Sequence, residues 1–575
     1  MTRILSRPYD QHAADRLALS GFLPPIARAL AARGIQVPSD LEQEWAGMLP
    51  PAMLEGTREA AERLALARER HQAVTIVADY DCDGATACAV GIRGLRMLGI
   101  TANYFVPDRV LHGYGLTPNV VDIVAARTPK PDLIVTVDNG ISSAAAVDRA
   151  RELGIDVIIT DHHLPGAELP RAQAIVNPNL TGSTFPSKNL AGVGVIYYVL
   201  LALRSLLRER GVFDAKTQPR LDALVDFVAL GTVADVVKLD KNNRILVSQG
   251  IRRIRGGRTH AGLEALFAIA GRDIRTAGVR DFGFAVAPRI NAAGRMGAAD
   301  TALQLLRSKD HVEALRLAQH LDALNTQRRE EEERIWAAAR EQAHRQLEQR
   351  QRPALVLYGG DWHPGIVGIV ASRIVEEFYR PTIILCDDNN MMKGSGRSIR
   401  EFDLYAGLQK TAHVLAGFGG HKLAAGVRLE PNQLERFREA FERVVADELG
   451  EQPLTPALLL ECELDFQQAS DSAFLQELEL MQPFGAGNAE PVFASPELTV
   501  VDRSPLGYSG DHVRLRLKDS ASGITLMAKG WNMATAFPPS SVGSRIRVAY
   551  TPRLDYYRGV ASIDVGIKDW QPVAD

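Results

Sequence analysis

Three short apolar segments in the first third of the chain constrain its fold more than any other feature. They cover residues 74–77, 133–137 and 157–160. Helix-forming segments, residues 85–98 and 142–153, follow the first two. Strands that are apolar throughout and alternate with helices predict a parallel sheet covered on both faces. Ligand sites in such a sheet form beyond the carboxyl ends of the strands, so the residues directly after these segments are the first candidates for chemistry.

Acidic residues stand at the first of these strand ends. In Val77-Ala78-Asp79-Tyr80-Asp81-Cys82-Asp83-Gly84, three carboxylates alternate with other residues. They share one face if the extended chain continues through them, and Gly84 then allows a sharp turn into the next helix. A single Asp at such a place usually caps a helix or turn. Three together repel one another unless a cation lies among them.

Two further strand ends and one later segment add to this group. Asp138 follows the second segment, Asp161-His162-His163 follows the third, and Asp235 follows another apolar run. A His-His pair directly after a buried strand and an Asp favours a site over a packing role. Carboxylates with imidazole suit Mn²⁺ or Mg²⁺. Such a set can hold two cations, and the expected chemistry is hydrolysis of a phosphate ester or anhydride.

The rest of the chain predicts a multidomain protein. Residues 311–350 contain neither Gly nor Pro and predict a long solvated helix that ends before Pro353. A second α/β unit follows, and strands with period-two alternation near the end predict a small antiparallel barrel. The predicted domains are an N-terminal lead-in at 1–45, a catalytic domain at 46–310, a connecting helix at 311–352, an α/β domain at 353–450 and a barrel at 451–575.

The net charge of −3 gives no overall basic signal, so nucleic acid would be bound by local patches and a small-molecule substrate remains open. The predicted barrel carries Arg514, Arg516 and Lys518 on alternate positions, hence on one face. Aromatic residues are interleaved with the basic ones: Trp531, Tyr550, Tyr556 and Tyr557. Basic strands with stacking rings are what a single-strand groove requires, whereas a solvated sheet face with core aromatics is the alternative.

Cysteine use and hydropathy predict a cytoplasmic protein. The four cysteines show no metal-ligand or redox spacing, which fits a reducing compartment. The first residues contain no apolar signal core, and the apolar segments are too short to span a membrane.

Several motifs together resemble a known family. The segments Asp79–Gly84, Asp138-Asn139-Gly140 and Asp161-His162-His163 resemble the successive motifs of the DHH phosphoesterase superfamily. Gly394–Ser398 and Phe418–His421 are similar to the DHHA1 domain. The RecJ branch is indicated by further segments: 106–109, 113–115, 190–194, 288–295 and 483–488. The resemblance runs from about residue 40 to the end, and it implies an α/β fold in which a parallel-sheet DHH domain is joined by a long helix to a DHHA1 α/β domain and then an OB-fold β-barrel.

The resemblance also implies an activity. RecJ proteins are single-stranded-DNA-specific exonucleases that hydrolyse phosphodiester bonds from 5′ to 3′ with two cations, Mn²⁺ or Mg²⁺, releasing 5′-mononucleotides in DNA recombination and repair. Single-stranded DNA is then the substrate, and a single-strand-binding protein and a RecQ-type helicase are the expected partners of a monomeric enzyme.

Carried over by motif, the resemblance assigns five metal ligands, of which Asp138 and Asp235 would bridge the two cations. The five are Asp81, Asp83, Asp138, His162 and Asp235.

Three neighbouring residues take supporting roles by the same resemblance. His163 would contact the scissile phosphate, Asp161 would orient a ligand histidine, and Asp79 would lie just outside the ligand set. Val77 stands where related manganese pyrophosphatases carry a histidine. The first cation therefore has one ligand fewer or borrows one.

The DHHA1 motifs predict how DNA is held. Glycines in the predicted turn 394–398 would bring backbone N–H groups close to a phosphate, and Arg397 would add a bidentate contact. Ser395 and His421 would help to bind this phosphate near the 5′ end. Further candidates for DNA contacts are Arg109, Tyr114, Arg289, Arg295, Arg514 and Arg516.

Two other functions remain open at this point. A DHH–DHHA1 phosphodiesterase of oligoribonucleotides or cyclic dinucleotides is one, although such proteins typically lack a third, barrel-like domain. A non-catalytic DNA-binding scaffold that keeps the fold but has lost its ligands is the other, and the presence of all five predicted ligands favours catalysis.

Overall fold

A computed structural model describes residues 3–573 apart from 109–111, 114, 167, 451–453, 508–509 and 556–561. The chain divides into two compact units. The smaller unit contains Met1–Arg3, Ala292–Ala298 and Gln319–Ala457, and the larger unit contains Ile4–Asn291, Ala299–Ala318 and Leu458–Asp575.

The chain begins with one strand and three helices: β1 (Arg3–Ser6), α1 (Gln11–Leu19), α2 (Pro24–Ala31) and α3 (Thr57–Glu69). The Asp10 side chain accepts a hydrogen bond from the N–H of Ala13 and so caps α1. Helix α2 begins with two prolines, whose missing N–H groups cost nothing in a first turn.

A five-stranded sheet with its covering helices follows: β2 (Val74–Ala78), α4 (Cys82–Met97), β3 (Ala102–Phe105), α5 (Pro118–Ala125), β4 (Leu133–Val137), α6 (Ala144–Glu152), β5 (Asp156–Thr160) and β6 (Ala174–Val176). The order is β3-β2-β4-β5-β6, with every pair parallel. The predicted parallel sheet is confirmed. Because the chain leaves β2 for β3 on one side and returns to β4 on the other, the strand order reverses between β2 and β4, which is where such sheets bind ligands.

Helices fill the next region: α7 (Gly192–Glu209), α8 (Val225–Ala234), α9 (Lys241–Arg255), α10 (Ala261–Ile269), α11 (Val279–Asp281), α12 (Ala287–Arg295), α13 (Ala299–Arg307) and α14 (His311–Gln349). Helix α14, with 39 residues, is the predicted long helix. A π-helical turn, Phe282–Val286, joins α11 to α12. In the described part of the chain, every helix is either too short or too polar to span a bilayer.

The smaller unit is built on a second sheet: β7 (Leu355–Tyr358), α15 (Val367–Phe378), β8 (Thr382–Asp388), β9 (Met391–Arg397), α16 (Leu404–Lys410), β10 (Gly417–His421), β11 (Ala424–Leu429) and α17 (Leu434–Leu449). The order is β10-β11-β9-β8-β7, and only β7 and β8 are parallel. The predicted glycine-rich turn at 394–398 is wrong, because Gly394–Arg397 belong to the inner strand β9. A Cβ on Gly394 would lie 2.5 Å from the Leu385 side chain, so this glycine makes room for the neighbouring strand.

Strand β12 (Ala457–Leu460) pairs with β1 in a separate two-stranded sheet. The remaining elements form the barrel and its helices: α18 (Phe466–Ala469), α19 (Ser472–Leu480), β13 (Phe493–Ala494), β14 (Leu498–Leu506), β15 (His512–Asp519), β16 (Thr525–Gly530), β17 (Arg545–Asp555) and β18 (Ser562–Pro572). The order is β13-β17-β14-β15-β16-β18, and β17 also pairs with β18, which closes the sheet. The predicted barrel is confirmed except that β16 and β18 are parallel.

The N-terminal helices share one core with this barrel. Ile26 and Leu30 of α2 are buried in the same apolar cluster as Phe474 of α19 and Leu515 of β15. The N–H of Leu23 donates to the Glu477 carboxylate at 2.8 Å. Helices α1 and α2 of the predicted lead-in therefore pack against the barrel.

Two leucines of these helices offer a matched test of the shared core. Leu30 is 1% exposed, whereas Leu19 at the end of α1 is 89% exposed. Leu30→Ala should destabilise the barrel by about 2–5 kcal/mol, because it removes apolar contacts and leaves a cavity. Leu19→Ala should change the stability by less than about 0.5 kcal/mol. Denaturant unfolding followed by tryptophan fluorescence, to which Trp531 and Trp570 of the barrel contribute, measures both changes, and equal effects would contradict the shared core.

Candidate metal centre

Five acidic residues and two histidines meet at the carboxyl edge of the first sheet. Their side chains form three groups whose potential ligand atoms lie within 4.8 Å of one another: Asp79 with Asp81 and Asp138, Asp83 with His162 and Asp235, and Asp138 with His162 and His163. Asp138 and His162 each belong to two groups, so the three groups form one continuous cluster.

The first three acids reach the cluster through a turn rather than along a strand. Strand β2 ends at Ala78, the Asp81 side chain caps α4 by accepting from the N–H of Gly84 at 3.0 Å, and Asp83 lies in the first turn of that helix. The prediction that they share a strand face is therefore wrong, although all three arrive at the cluster. Gly84 lets the start of α4 pack closely against Asp79, because a Cβ there would lie 2.5 Å from the carbonyl oxygen of Asp79. It does not serve the sharp turn that the sequence predicted.

Asp138 follows β4 in an unusual backbone conformation. Its φ is +63°, in the left-handed region that costs a non-glycine residue free energy. It is buried, and its N–H donates to the Thr160 carbonyl at 3.0 Å, which fixes it to the neighbouring strand. A Cβ on Gly192 would lie 2.5 Å from the Asp138 Cβ, so the glycine that opens α7 lets this helix begin against the acid.

The start of α7 also holds Asp83. The backbone N–H groups of Gly192 and Val193 donate to its two oxygens at 2.6 and 2.9 Å. Burial and the nearby Asp81 charge raise the pKa of Asp83 to about 7, against the opposite effect of the two N–H donors. Positive charge close to this carboxyl would favour its ionised form further.

His162 lies at the centre of the cluster. Its Nε2 is 3.0 Å from Asp138 Oδ1, 3.5 Å from Asp235 Oδ2 and 4.0 Å from Asp83 Oδ2. Asp235 comes from the end of α8 rather than from a strand. A single imidazole nitrogen thus faces three carboxylates.

The electrostatics of the cluster favour a bound cation. Burial raises the pKa of both Asp138 and Asp235, and the Asp83 charge raises each further. Asp138 Oδ1 is buried and accepts no hydrogen bond among the described residues. Carboxylate oxygens with one imidazole are the donor set that Mn²⁺ and Mg²⁺ accept. The residues present therefore fit the predicted cations.

Beside the cluster, Asp161 and His163 form a tight pair. Asp161 Oδ1 lies 2.7 Å from His163 Nδ1 and also accepts from the backbone N–H groups of both histidines, while Oδ2 accepts from the N–H of Ile141. Burial works against a charged ring, but the hydrogen bond to Asp161 outweighs it and raises the pKa of His163 to about 9. Burial works against the charged form of Asp161, but the interaction with His163 outweighs it and lowers the pKa of the Asp161 carboxyl. The pairing with Asp161 thus favours the protonated form of the His163 ring.

Asparagines that the sequence interpretation missed fix this part of the site. Asn179 and Asn177 donate to the carbonyl oxygens of His162 and His163 at 2.6 and 2.9 Å. Asn291 accepts from the N–H of Cys82 at 2.7 Å, at the start of α4. Asn177 directly follows β6, so a fourth strand end of the same sheet was the available signal.

Val77, where a histidine ligand occurs in related pyrophosphatases, is fully buried in the apolar core. Its side chain supplies no ligand.

The predicted DNA-binding residues of the larger unit have mixed outcomes. Arg109 and Tyr114, like the barrel residues Tyr556 and Tyr557, lie outside the described residues. Arg289 donates to the Ala285 carbonyl within its own helical segment.

On the barrel, Arg514 and Arg516 are exposed on the same face of β15 as Lys518. Trp531 is 52% exposed. Tyr550 is fully buried and its hydroxyl donates to the Leu464 carbonyl, so its predicted stacking role is wrong. The period-two pattern could not distinguish a ring inside the barrel from one outside.

In the smaller unit, the register brings three predicted residues to one face of the sheet. Arg397 and His421 both pair with Ala424, one from each side, and Ser395 lies two residues from Arg397 on the same strand. Because β9 is hydrogen-bonded on both sides, its backbone N–H groups are used in the sheet and side chains must supply the phosphate contacts. Arg295 donates to the Gly365 carbonyl at 2.6 Å.

Family models match three parts of the chain. The DHH family N-terminal domain matches residues 73–232, the DHHA1 domain matches 351–447, and the RecJ OB domain matches 460–569. The first of these segments contains all of the cluster except Asp235.

Curated relatives and solved structures match nearly the whole chain. The single-stranded-DNA-specific exonuclease RecJ of Salmonella typhimurium is 40% identical over 99% of both chains, and that of Escherichia coli is 40% identical over 96% of this chain and 97% of its own. The crystal structure of RecJ from Thermus thermophilus in complex with Mn²⁺ superposes with a TM-score of 0.82 at 30% identity, covering 100% of this chain and 80% of that one. With the ordered DHH, DHHA1 and OB domains, these matches show that the chain belongs to the RecJ family.

Proposed function

We propose that this chain is a metal-dependent exonuclease that hydrolyses phosphodiester bonds of single-stranded DNA. The observation that carries the proposal is the continuous cluster of buried carboxylates around His162 Nε2. Such a cluster is unfavourable unless cations occupy it. Its composition is that of a two-cation phosphodiesterase site.

The ligands we assign are Asp81, Asp83, Asp138, His162 and Asp235. Two of the three groups share no residue, because Asp81 belongs to one and Asp83 and Asp235 belong to the other. Two separate groups favour two cations. Asp138 would bridge them, since it also lies within ligand distance of His162. Asp235 is the second bridge that the family resemblance implies. Asp79 lies close enough to Asp81 and Asp138 to contribute an oxygen to the first cation.

Bound divalent cations would supply an activated water and neutralise charge on the phosphoryl oxygens. The protein supplies the positioning. Asp161 orients the His163 ring and favours its protonated form. In that form His163 would donate a hydrogen bond to a phosphate oxygen and stabilise the charge that develops there. Asn177 and Asn179 fix the backbone that carries both histidines.

Several finer points of this function are proposals that rest on the family. They are digestion from 5′ to 3′, release of 5′-mononucleotides, action in recombination and repair, a cytoplasmic monomer, and contacts with a single-strand-binding protein and a RecQ-type helicase. Within the smaller unit, the face with Ser395, Arg397 and His421 would bind a phosphate near the 5′ end. Digestion of single strands labelled at the 5′ or the 3′ end tests the polarity.

The alternative function is hydrolysis of dinucleotides by a DHH–DHHA1 phosphodiesterase. The exposed cations of β15 and the exposed Trp531 favour a longer single strand, because cationic strands with stacking rings are what binding of single-stranded DNA requires. Comparing Mn²⁺-dependent hydrolysis of long single-stranded DNA with that of dinucleotides decides between them, and a preference for dinucleotides contradicts the proposal.

Asp83→Asn tests the metal site directly. The change keeps the shape of the side chain but removes a ligand charge. Cleavage of single-stranded DNA in Mn²⁺ should fall by more than about a hundredfold, since loss of a partner of a ligand alone costs about 10–100-fold. Binding of the same DNA, measured by fluorescence anisotropy, should stay nearly unchanged. Asp148→Asn is the control, because Asp148 is paired with Arg171 at the surface; a wild-type rate for Asp83→Asn would contradict the assignment.

Metal binding should also depend on pH. Because the pKa of Asp83 is raised to about 7 in the metal-free fold, that fold binds more protons than the unfolded chain between about pH 4 and 7. Its stability therefore falls as the pH rises through this window. A cation replaces the proton, so the gain in Tm from saturating Mg²⁺ over EDTA should be larger at pH 8 than at pH 6.

At a cation concentration 100 times Kd, the free energy of unfolding increases by about 2.7 kcal/mol per site. The difference between the two pH values reports Asp138 and Asp235 together with Asp83, because burial raises the pKa of all three. Asp148→Asn is the matched control, since this surface carboxylate lies outside the cluster and its loss should leave the difference unchanged. Equal gains at both pH values in the wild type would contradict the raised pKa.

A further inference from the structure

Arg244 is a buried arginine whose charge the described part of the chain does not neutralise. It lies near the start of α9 and is 7% exposed. Its Nε and Nη2 atoms are buried, and neither of them donates a hydrogen bond to a described residue. A guanidinium group that loses its water without regaining hydrogen bonds destabilises a fold. A bound group that accepts from both nitrogens and carries negative charge would remove this cost.

The two nitrogens of Arg244 that lack partners form one edge of the guanidinium. The Nε–H and one N–H of Nη2 point the same way, and this edge can bind two oxygens of a carboxylate or phosphate side by side. Other arginines of this chain use the same edge. Arg220 bonds to Asp222 through Nε and Nη2 at 3.2 and 3.0 Å. Arg316 bonds to Glu313 through the same two atoms at 2.9 and 2.8 Å. Arg244 thus keeps unused the edge that recognises oxyanions.

Contacts on either side of Arg244 along α9 show where its side chain lies. Residues three and four positions apart lie on the same face of a helix. Three positions before Arg244, Lys241 Nζ is 3.9 Å from Asp40 Oδ1. Four positions after it, the Ser248 hydroxyl hydrogen-bonds to the Gln43 side chain. The guanidinium therefore lies on the face of α9 that packs against residues 40–43.

The carboxylates near this face are bonded elsewhere or exposed. Asp40 accepts from two backbone N–H groups of its own segment at 3.0 and 3.2 Å. Asp240 caps α9 and also accepts from the Ser187 hydroxyl at 2.8 Å. Glu42 and Glu44 are exposed. The acids of the surrounding segments therefore leave the Arg244 edge to another acceptor.

Two further arginines, which share one carboxylate, raise the positive potential in this region. Arg33 Nη2 and Arg7 Nε lie 2.8 and 2.9 Å from the same oxygen of Glu461, which is 2% exposed. One positive charge of this trio is thus in excess. Burial lowers the pKa of Arg244, and the Arg33 charge lowers it further. Arg33 also donates to two backbone carbonyls, so it contributes charge rather than a free donor.

We propose that Arg244 anchors a structural anion site, which binds a small oxyanion such as phosphate or sulfate between α9 and residues 40–43. An oxyanion places one oxygen against each of the two N–H groups and neutralises the charge. A water molecule would leave the charge uncompensated, and chloride offers a single acceptor to both donors. The site lies outside the metal centre, and its ligand would tie the N-terminal segment to α9.

Binding of phosphate to the whole chain in EDTA tests the site directly. Equilibrium dialysis with radiolabelled phosphate should show that the wild type binds one more phosphate per chain than Arg244→Met, which keeps a long side chain without its charge. Arg252→Gln is the matched control, because this exposed arginine of the same helix is paired with Glu44. It should bind as many phosphates as the wild type. Equal phosphate binding by the wild type and Arg244→Met overturns the proposal.

Thermal unfolding in EDTA at constant ionic strength separates a bound anion from a general salt effect. The Tm of the wild type should rise with the logarithm of the phosphate concentration, as expected for a ligand of the folded state. Exclusion of phosphate from the protein surface acts on every variant alike. The rise should therefore exceed that of Arg244→Met and equal that of Arg252→Gln. The same rise with chloride in place of phosphate overturns the assignment to an oxyanion.

The sign of the effect of Arg244→Met on stability gives a further test. In chloride without phosphate, this variant should be at least as stable as the wild type, because it removes a buried charge that lacks compensation. A large loss of stability there, with no response of the wild type to phosphate, would show that the fold itself satisfies Arg244 and would overturn the site.

Arg244→Lys keeps the charge but loses the two-pronged edge. It should bind the additional phosphate about tenfold more weakly than the wild type, because a lysine offers a point charge instead of two parallel donors. Phosphate affinity equal to that of the wild type would contradict the side-by-side geometry. These outcomes are independent of cleavage, which the Asp83→Asn variant tests separately.

Discussion

Repulsion between buried carboxylates is the interaction on which the rest of the larger unit depends. Asp83, Asp138 and Asp235 surround one imidazole nitrogen, and burial raises the pKa of all three. The fold keeps them together by rigid means: a sheet edge, the first turn of α4, the N–H groups that open α7 and the end of α8. Each of these elements is tied to the next by a short contact that tolerates no added Cβ, as at Gly84 and Gly192. The fold thus holds carboxylates together despite their mutual repulsion, and a bound cation would reduce that repulsion.

Much of this centre could be predicted from the sequence because parallel strands end at a common edge. That rule placed Asp79, Asp138, Asp161 and the two histidines correctly beside one another. It could not predict the turn that brings Asp83 in, because the point where a strand gives way to a helix is set by packing. It would have pointed to Asn177 only if strand β6 had been predicted, and it gave no reason to expect Asn179, whose amide acts on a backbone carbonyl and leaves no pattern of charge or hydropathy.

The same limits apply elsewhere in the chain. Glycines at 394 and 396 look like a turn, yet in β9 they make room for side chains of the neighbouring strand. Period-two alternation identified the barrel strands and the exposed face of β15, but it could not assign Tyr550 to the interior. Residue patterns report which positions are alike; whether a given position faces the core or solvent depends on strands that are distant in sequence.

The packing of α2 into the barrel has a consequence for how this protein is made. Leu23 bonds to a residue 454 positions later, and Arg33 contacts the backbone 456 positions later. Contacts of such high order form slowly, because a long loop must close before they give any stability. During synthesis, α2 has no barrel partner until residues more than 450 positions later have left the ribosome. A polypeptide released early would expose the apolar face of this helix, so complete and incomplete chains differ in a property that chaperones and proteases recognise.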